Sequence, residues 1–203
     1  DGFWTIGSEN YTPQEMATRA MYEQNPAEFL SWYYHRFVTY RHHGPNKVHD
    51  WLKDKQLITQ NIDGLDGKAG NQDYISIHGR IDQMTMFHHQ GEDVERFIAP
   101  WDQVDESNLT DSLLDLFKIS KSKGPILNES YKPYVLLFDE YYTELYEITR
   151  AQEMMLSATA MVFMGTSFSV NITQMALDVA RHNQIPVHVV DPSPCHVLHS
   201  KVT

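Results

Sequence analysis

Ala160-Met161-Val162-Phe163-Met164-Gly165-Thr166-Ser167 is the stretch on which the fold turns. An unbroken apolar run that stops at a glycine and two hydroxyl residues reads as a buried strand ending in a tight turn. A helix is expected next, around Ile172 to Arg181, and Pro186-Val187-His188-Val189-Val190 then returns as another apolar strand. Strand, helix, strand with both strands apolar throughout is the pattern of a parallel sheet with helical crossovers, so the expected fold class is α/β. Working outward, Tyr134-Val135-Leu136-Leu137-Phe138 reads as a buried strand. Gln56-Leu57-Ile58-Thr59 and Tyr74-Ile75-Ser76-Ile77 read as shorter ones.

The N-terminal part is helical by its own signals. Thr12-Pro13-Gln14-Glu15 has the spacing of a capping box, with proline at the first helical position. Asn25-Pro26-Ala27-Glu28 opens a second helix, along which Phe29, Trp32, Tyr33, Phe37 and Tyr40 recur every three or four residues and are expected to form core. Gly44-Pro45 ends it, and Asn46 can cap a short helix carrying Val48, Trp51 and Leu52. Between Gly91 and Lys123 the pattern weakens into an acid-rich excursion, relieved by a short amphipathic helix through Leu109, Leu113, Leu116 and Phe117.

Composition narrows the function. With 203 residues the chain is expected to hold one principal core. Asp plus Glu number 27 against 16 Lys plus Arg, a net charge of -11, which argues against nucleic acid and for basic peptides as partners. The apolar runs fall far short of the roughly 20 residues a membrane crossing needs, so no membrane partner is expected. One cysteine, Cys195, leaves no intrachain disulfide and no multi-thiolate zinc site, and fits a reducing, cytoplasmic location. The sequence begins at Asp1 without methionine and is expected to be a piece of a longer polypeptide.

In open parallel sheets, ligands bind beyond the carboxyl ends of the strands. Four places lie there: Thr59-Gln60-Asn61-Ile62-Asp63, His78-Gly79, Gly165-Thr166-Ser167 and Asp191-Pro192. The Gly-Thr-Ser turn is suited either to a phosphate or to plain helix capping. Asp191 suits a ribose hydroxyl or a simple turn before proline. His78, one of 11 histidines, is placed either as a base or as a structural ring.

Taken together, Thr59-Gln60-Asn61-Ile62-Asp63-Gly64-Leu65, Ile77-His78-Gly79, Phe138-Asp139-Glu140 and Gly165-Thr166-Ser167-Phe168-Ser169-Val170 resemble, in order and spacing, the motif series of the sirtuins. The likeness extends to Asp1-Gly2-Phe3-Trp4, to Pro45-Asn46 with His49, and to Ile185-Pro186-Val187. It implies one catalytic core over residues 1–203: a Rossmann-like parallel sheet with helices on both faces at about 44–85 and 133–203, and a smaller helical or irregular lobe at about 1–43 and 86–132. It implies an NAD-dependent protein lysine deacylase that consumes NAD as co-substrate and releases nicotinamide and O-acyl-ADP-ribose. Gln60 and Asn61 would then contact the nicotinamide ribose, and Ile62 and Asp63 would line the nicotinamide pocket. His78 would be the general base toward a ribose hydroxyl. Gly165, Thr166, Ser167, Val170 and Asp191 would hold the phosphates and adenosine. An acylated-lysine protein or peptide would add as a strand beside Tyr134 to Phe138, with Leu136 and Phe138 walling the acyl-lysine tunnel and Asp139 and Glu140 beside the groove.

The sequence departs from the family pattern in three places. The two cysteine pairs of the family's structural zinc align with Met86 and His89 and with the neighbourhood of Gly124 and Leu127, so no zinc is expected and the lobe is left to packing or to partial mobility. The glycine-rich NAD diphosphate segment is expected upstream of Asp1. Asp139 stands in place of a glycine, and Asp191 in place of an asparagine. Two alternatives stay open: an NAD glycohydrolase or mono-ADP-ribosyltransferase, and a non-catalytic NAD or ADP-ribose sensor.

Overall fold

The Thr12 hydroxyl accepts the Glu15 amide while the Glu15 carboxylate accepts the Thr12 amide, so α1 (Pro13–Met16) starts on the expected reciprocal cap. The computed structural model describes residues 11–193; Asp1-Gly2-Phe3-Trp4 and Cys195 lie outside them. Two compact units form, Asp1–Ile148 and Thr149–Thr203.

In the first unit, Thr18 caps α2 (Arg19–Gln24), a helix the sequence reading did not separate. Asn25 caps α3 (Pro26–Tyr40), whose Phe29, Trp32 and Tyr33 are buried as expected. Asn46 caps α4 (Lys47–Leu52), on which Trp51 remains 57% exposed. Next come β1 (Leu57–Thr59), α5 (Leu65–Lys68) and β2 (Tyr74–Ser76). β1 and β2 pair in parallel, Ile58 opposite Ile75.

β3 (Gly79–Met86), β4 (Arg96–Ile98), α6 (Leu109–Leu116) and β5 (Tyr131–Val135) complete this unit's main elements. The three strands form an antiparallel sheet in the order β4-β3-β5. The acid-rich excursion is therefore ordered by pairing and packing. Trp101 and Phe117 are fully buried, their rings 4.8 Å apart, and the Trp101 indole donates to the Ile81 carbonyl at 2.6 Å. Leu113 joins them in one core with Phe29 and Tyr33 of α3, a helix that packs on α6. The buried Ser130 hydroxyl ties the Ile126 amide to the Lys118 carbonyl. Among the described residues no three His, Cys, Asp or Glu side chains gather where a metal could sit.

The run Tyr134 to Phe138 needs correcting as a strand. β5 starts earlier, at Tyr131, and stops at Val135, and it pairs antiparallel with β3. The Leu137 amide goes to the Glu140 carboxylate and the Phe138 amide to the Ala17 carbonyl, which removes both from any ladder. Within β5, Pro133 lacks a donor, and the register shifts between Arg80 and Met84 across from it.

The second unit holds α7 (Ile148–Leu156, which starts at the boundary), β6 (Met161–Met164), α8 (Asn171–His182) and β7 (Val187–Val190). β6 and β7 pair in parallel, as the opening stretch requires. Ile172, Ala176 and Ala180, four residues apart, form the buried stripe of α8. No helix among the described residues is long and apolar enough to cross a membrane.

Candidate active site

Parallel pairing brings the carboxyl ends of β1 and β2 level, Thr59 opposite Ser76, and the Ile77 amide extends the ladder by donating to the Thr59 carbonyl at 3.1 Å. The two segments that follow therefore leave the sheet at the same edge. In the first, Ile62 is buried and its carbonyl accepts from the Ile81 amide at 2.9 Å, which anchors the loop. Gln60 is half-buried and Asn61 exposed, and among the described residues neither side-chain amide has a hydrogen-bond partner. Asp63 uses one carboxylate oxygen on the Leu65 amide at 2.9 Å. Gly64 turns in the left-handed region beside the Arg80 guanidinium. The neighbouring Asp66 is buried, which pushes its carboxyl up from the ordinary range.

The second segment carries His78. Its Nε2 lies 2.9 Å from the Tyr142 hydroxyl, and the two rings are nearly parallel, 19° apart. Burial lowers the imidazole to a pKa of about 4, against the opposing pull of the Gln60 backbone. The pull of the Gln60 backbone favours the tautomer with the other ring nitrogen protonated, and on that assignment Nε2 accepts and the phenol donates. Gly79 is held by space as well as by φ +82: a Cβ there would stand 2.1 Å from the Tyr134 carbonyl oxygen. The glycine after the base thus lets β5 close against β3, and the Leu136 amide donates to the His78 carbonyl at 3.0 Å.

The segment after β5 is pinned residue by residue. Leu136 is half-buried, and Phe138 is 52% exposed. The Asp139 carboxylate accepts the first two amides of α2, from Arg19 at 2.6 Å and Ala20 at 3.0 Å. Glu140, its side chain 5% exposed, pairs with Arg19 at 3.2 Å and with the wholly buried Lys132 at 3.5 Å. The Tyr141 amide and hydroxyl both bond Gln90. Both carboxylates expected beside a substrate groove are therefore engaged within the chain.

In the second unit, Gly165 turns at φ +57, with open space where a side chain would stand. Thr166 accepts from the Phe168 amide at 3.4 Å, and the Ser167 and Ser169 hydroxyls lie 2.6 Å apart. Val170 is the residue before α8 and offers no side-chain cap. Asp191 accepts from the Ser193 amide at 2.7 Å, which is the simple turn before proline. Within the first unit, the unbonded amides of Gln60 and Asn61 and the neutral imidazole of His78 offer hydrogen-bond donors and acceptors; within the second, the Gly165 turn offers hydroxyls and backbone amides.

Sequence reasoning missed Tyr142, Arg19 and Lys132. Tyr142 and His78 are 64 residues apart, and their contact follows only from the β3–β5 pairing, which no local pattern announced.

Parallel strand pairs and an antiparallel lobe define a Rossmann-like α/β protein. The chain belongs to the Sir2 family, whose model matches residues 1–172. An NAD-dependent protein deacylase from Caldanaerobacter subterraneus subsp. tengcongensis is 36% identical over 88 residues, 40% of this chain and 35% of that protein. An NAD-dependent deacetylase of Dictyostelium discoideum is 29% identical over 180 residues, 79% of this chain and 51% of that protein. The chain thus spans from about a third to about half of the length of these relatives. Among solved structures, a mutant Sir2 homologue in complex with ADP-ribose matches with a TM-score of 0.72 at 20% identity, covering 95% of this chain and 72% of that one. A Sir2 homologue bound to NAD matches with a TM-score of 0.69 at 20% identity, over 91% and 68%. Both show the Sir2 fold.

Proposed function

We propose that this chain is catalytic material of an NAD-dependent protein lysine deacylase, with His78 as general base. The observation that carries the reading is the state of that ring. Burial keeps it neutral at physiological pH, and its Nε2, held at rest by the Tyr142 hydroxyl at 2.9 Å, is the nitrogen that would take the proton. A base must be unprotonated and within hydrogen-bond reach of the proton it takes, and this ring needs no prior deprotonation. NAD, when bound as co-substrate, supplies a reactive ribose carbon that accepts the acyl oxygen. Gln60 and Asn61 orient that sugar, Ile62 and Asp63 enclose the nicotinamide, and His78 takes the proton from a ribose hydroxyl. Gly165, Thr166, Ser167, Val170 and Asp191 hold the phosphates and adenosine.

The acyl-lysine peptide adds at β5, which lies at the edge of its sheet with Leu136 and Phe138 just beyond. Asp139 and Glu140 serve by fixing this segment to α2 and Lys132 rather than by touching peptide. Substrate and NAD use thus follow the family, and a cytoplasmic setting suits the acidic, cysteine-poor chain.

The test incubates the chain with NAD and an acetyl-lysine peptide and resolves the products. Nicotinamide, free lysine and O-acetyl-ADP-ribose are expected in equal amounts. His78→Ala should abolish deacylation and still bind ADP-ribose. Nicotinamide released without deacylated peptide would point to the glycohydrolase or ADP-ribosyltransferase, and binding without turnover to the sensor.

A further inference from the structure

The lone pair that makes His78 a base is already taken. Nε2 is the ring's one acceptor, and the Tyr142 hydroxyl sits 2.9 Å from it. A general base must reach the hydroxyl it deprotonates at about 2.6 to 3.2 Å, and one in-plane lone pair serves one donor at that distance. Tyr142 does not reach this position by free rotation. Its loop is anchored on both sides, through Asp139 on α2, Glu140 on Lys132 and Tyr141 on Gln90, and through the Leu145 carbonyl, which accepts from the Tyr134 hydroxyl at 2.7 Å. Its ring lies along the imidazole with centroids 5.9 Å apart. A half-buried acceptor left without a donor would destabilise the empty site, and the phenol satisfies it.

We infer that Tyr142 is a resident ligand of the base, its hydroxyl holding the Nε2 position that a ribose hydroxyl must take, so that nucleotide binds by exchanging one hydroxyl for another. This rests on reading His78 as the base toward a nucleotide sugar and adds a determinant of that site's affinity. Exchange of one neutral hydrogen bond for another makes nucleotide binding weaker than it would be at an open base by about five-fold, the worth of one such bond.

Tyr142→Phe keeps the ring and its stacking and removes only the hydroxyl. Without nucleotide, 15N NMR of the histidines should show the His78 Nε2 signal moving, in Tyr142→Phe, toward that of an unbonded acceptor. Calorimetry with ADP-ribose should give about five-fold tighter binding in Tyr142→Phe than in the wild type. His78→Ala and His78→Ala/Tyr142→Phe should bind it equally. In turnover, KM for NAD should fall with kcat unchanged. An unmoved Nε2 signal, unchanged or weaker ADP-ribose binding, or the same gain with and without His78 would overturn the inference. A fall of about a hundred-fold in kcat would do so too, by making the phenol a proton relay. If the wild-type chain binds no ADP-ribose, the deacylase reading and the exchange fall together, whereas a failure of the exchange alone leaves wild-type binding and the loss in His78→Ala turnover intact.

Discussion

His78 makes the chain's stability depend on pH in a direction fixed by its burial. The folded ring holds its proton only below about 4, whereas in the unfolded chain it titrates at its ordinary value near 6.5. Between those values the unfolded state binds the extra proton, so stability is full above about pH 6.5 and drains away as pH falls toward 4. The loss from this ring comes to about 3 kcal/mol. His88, also lowered first by burial, acts with the same sign. His78→Gln, which cannot titrate, should cut the difference in unfolding free energy between about pH 7 and about pH 4 by about 3 kcal/mol, as read by urea titration. Identical pH slopes in the two proteins would show that the ring is solvated after all.

The segment linking β5 to Tyr142 depends on a buried charge cluster. Burial pulls Lys132 below its ordinary range, and Glu140, the nearest opposing charge, pulls it back. The ammonium also donates to the Val135 carbonyl at 3.1 Å. Glu140→Leu would strand that cation and should cost about 3 to 5 kcal/mol in chemical denaturation, while adding Lys132→Met should recover most of the loss. No recovery in the double variant would place the value of Glu140 in its bond to the Leu137 amide or in Arg19. The same segment shows where sequence reading stops. Capping at Thr12, Asn25 and Asn46 was legible because cap and amide are two or three residues apart. The strand ends at Thr59, His78 and Gly165 were legible from apolar runs broken by polar residues. β4 has only three residues, too few for a period, and the end of β5 is set by Glu140 taking an amide. Asp139 looks like a loop acid until its partner, 120 residues earlier, is brought to it.

At the scale of the whole molecule, the charge of -11 acts on the proposed substrates with opposite signs. Phe138 is 52% exposed, while the nearby acids Asp139 and Glu140 are already engaged on α2, Arg19 and Lys132. Attraction of a basic peptide therefore comes from the summed field of many surface carboxylates rather than from one contact, and such a field is screened by salt. From about 0.05 M to about 0.5 M salt, kcat/KM for an acetyl-lysine peptide flanked by Lys and Arg should fall about tenfold. A peptide with neutral flanks should change by less than about twofold over the same range. The nucleotide diphosphate is repelled by the same field, so KM for NAD should decrease with salt. Steady-state rates with each substrate varied in turn separate the two trends; parallel dependences would mean that local groups at the site, and not the overall charge, govern encounter.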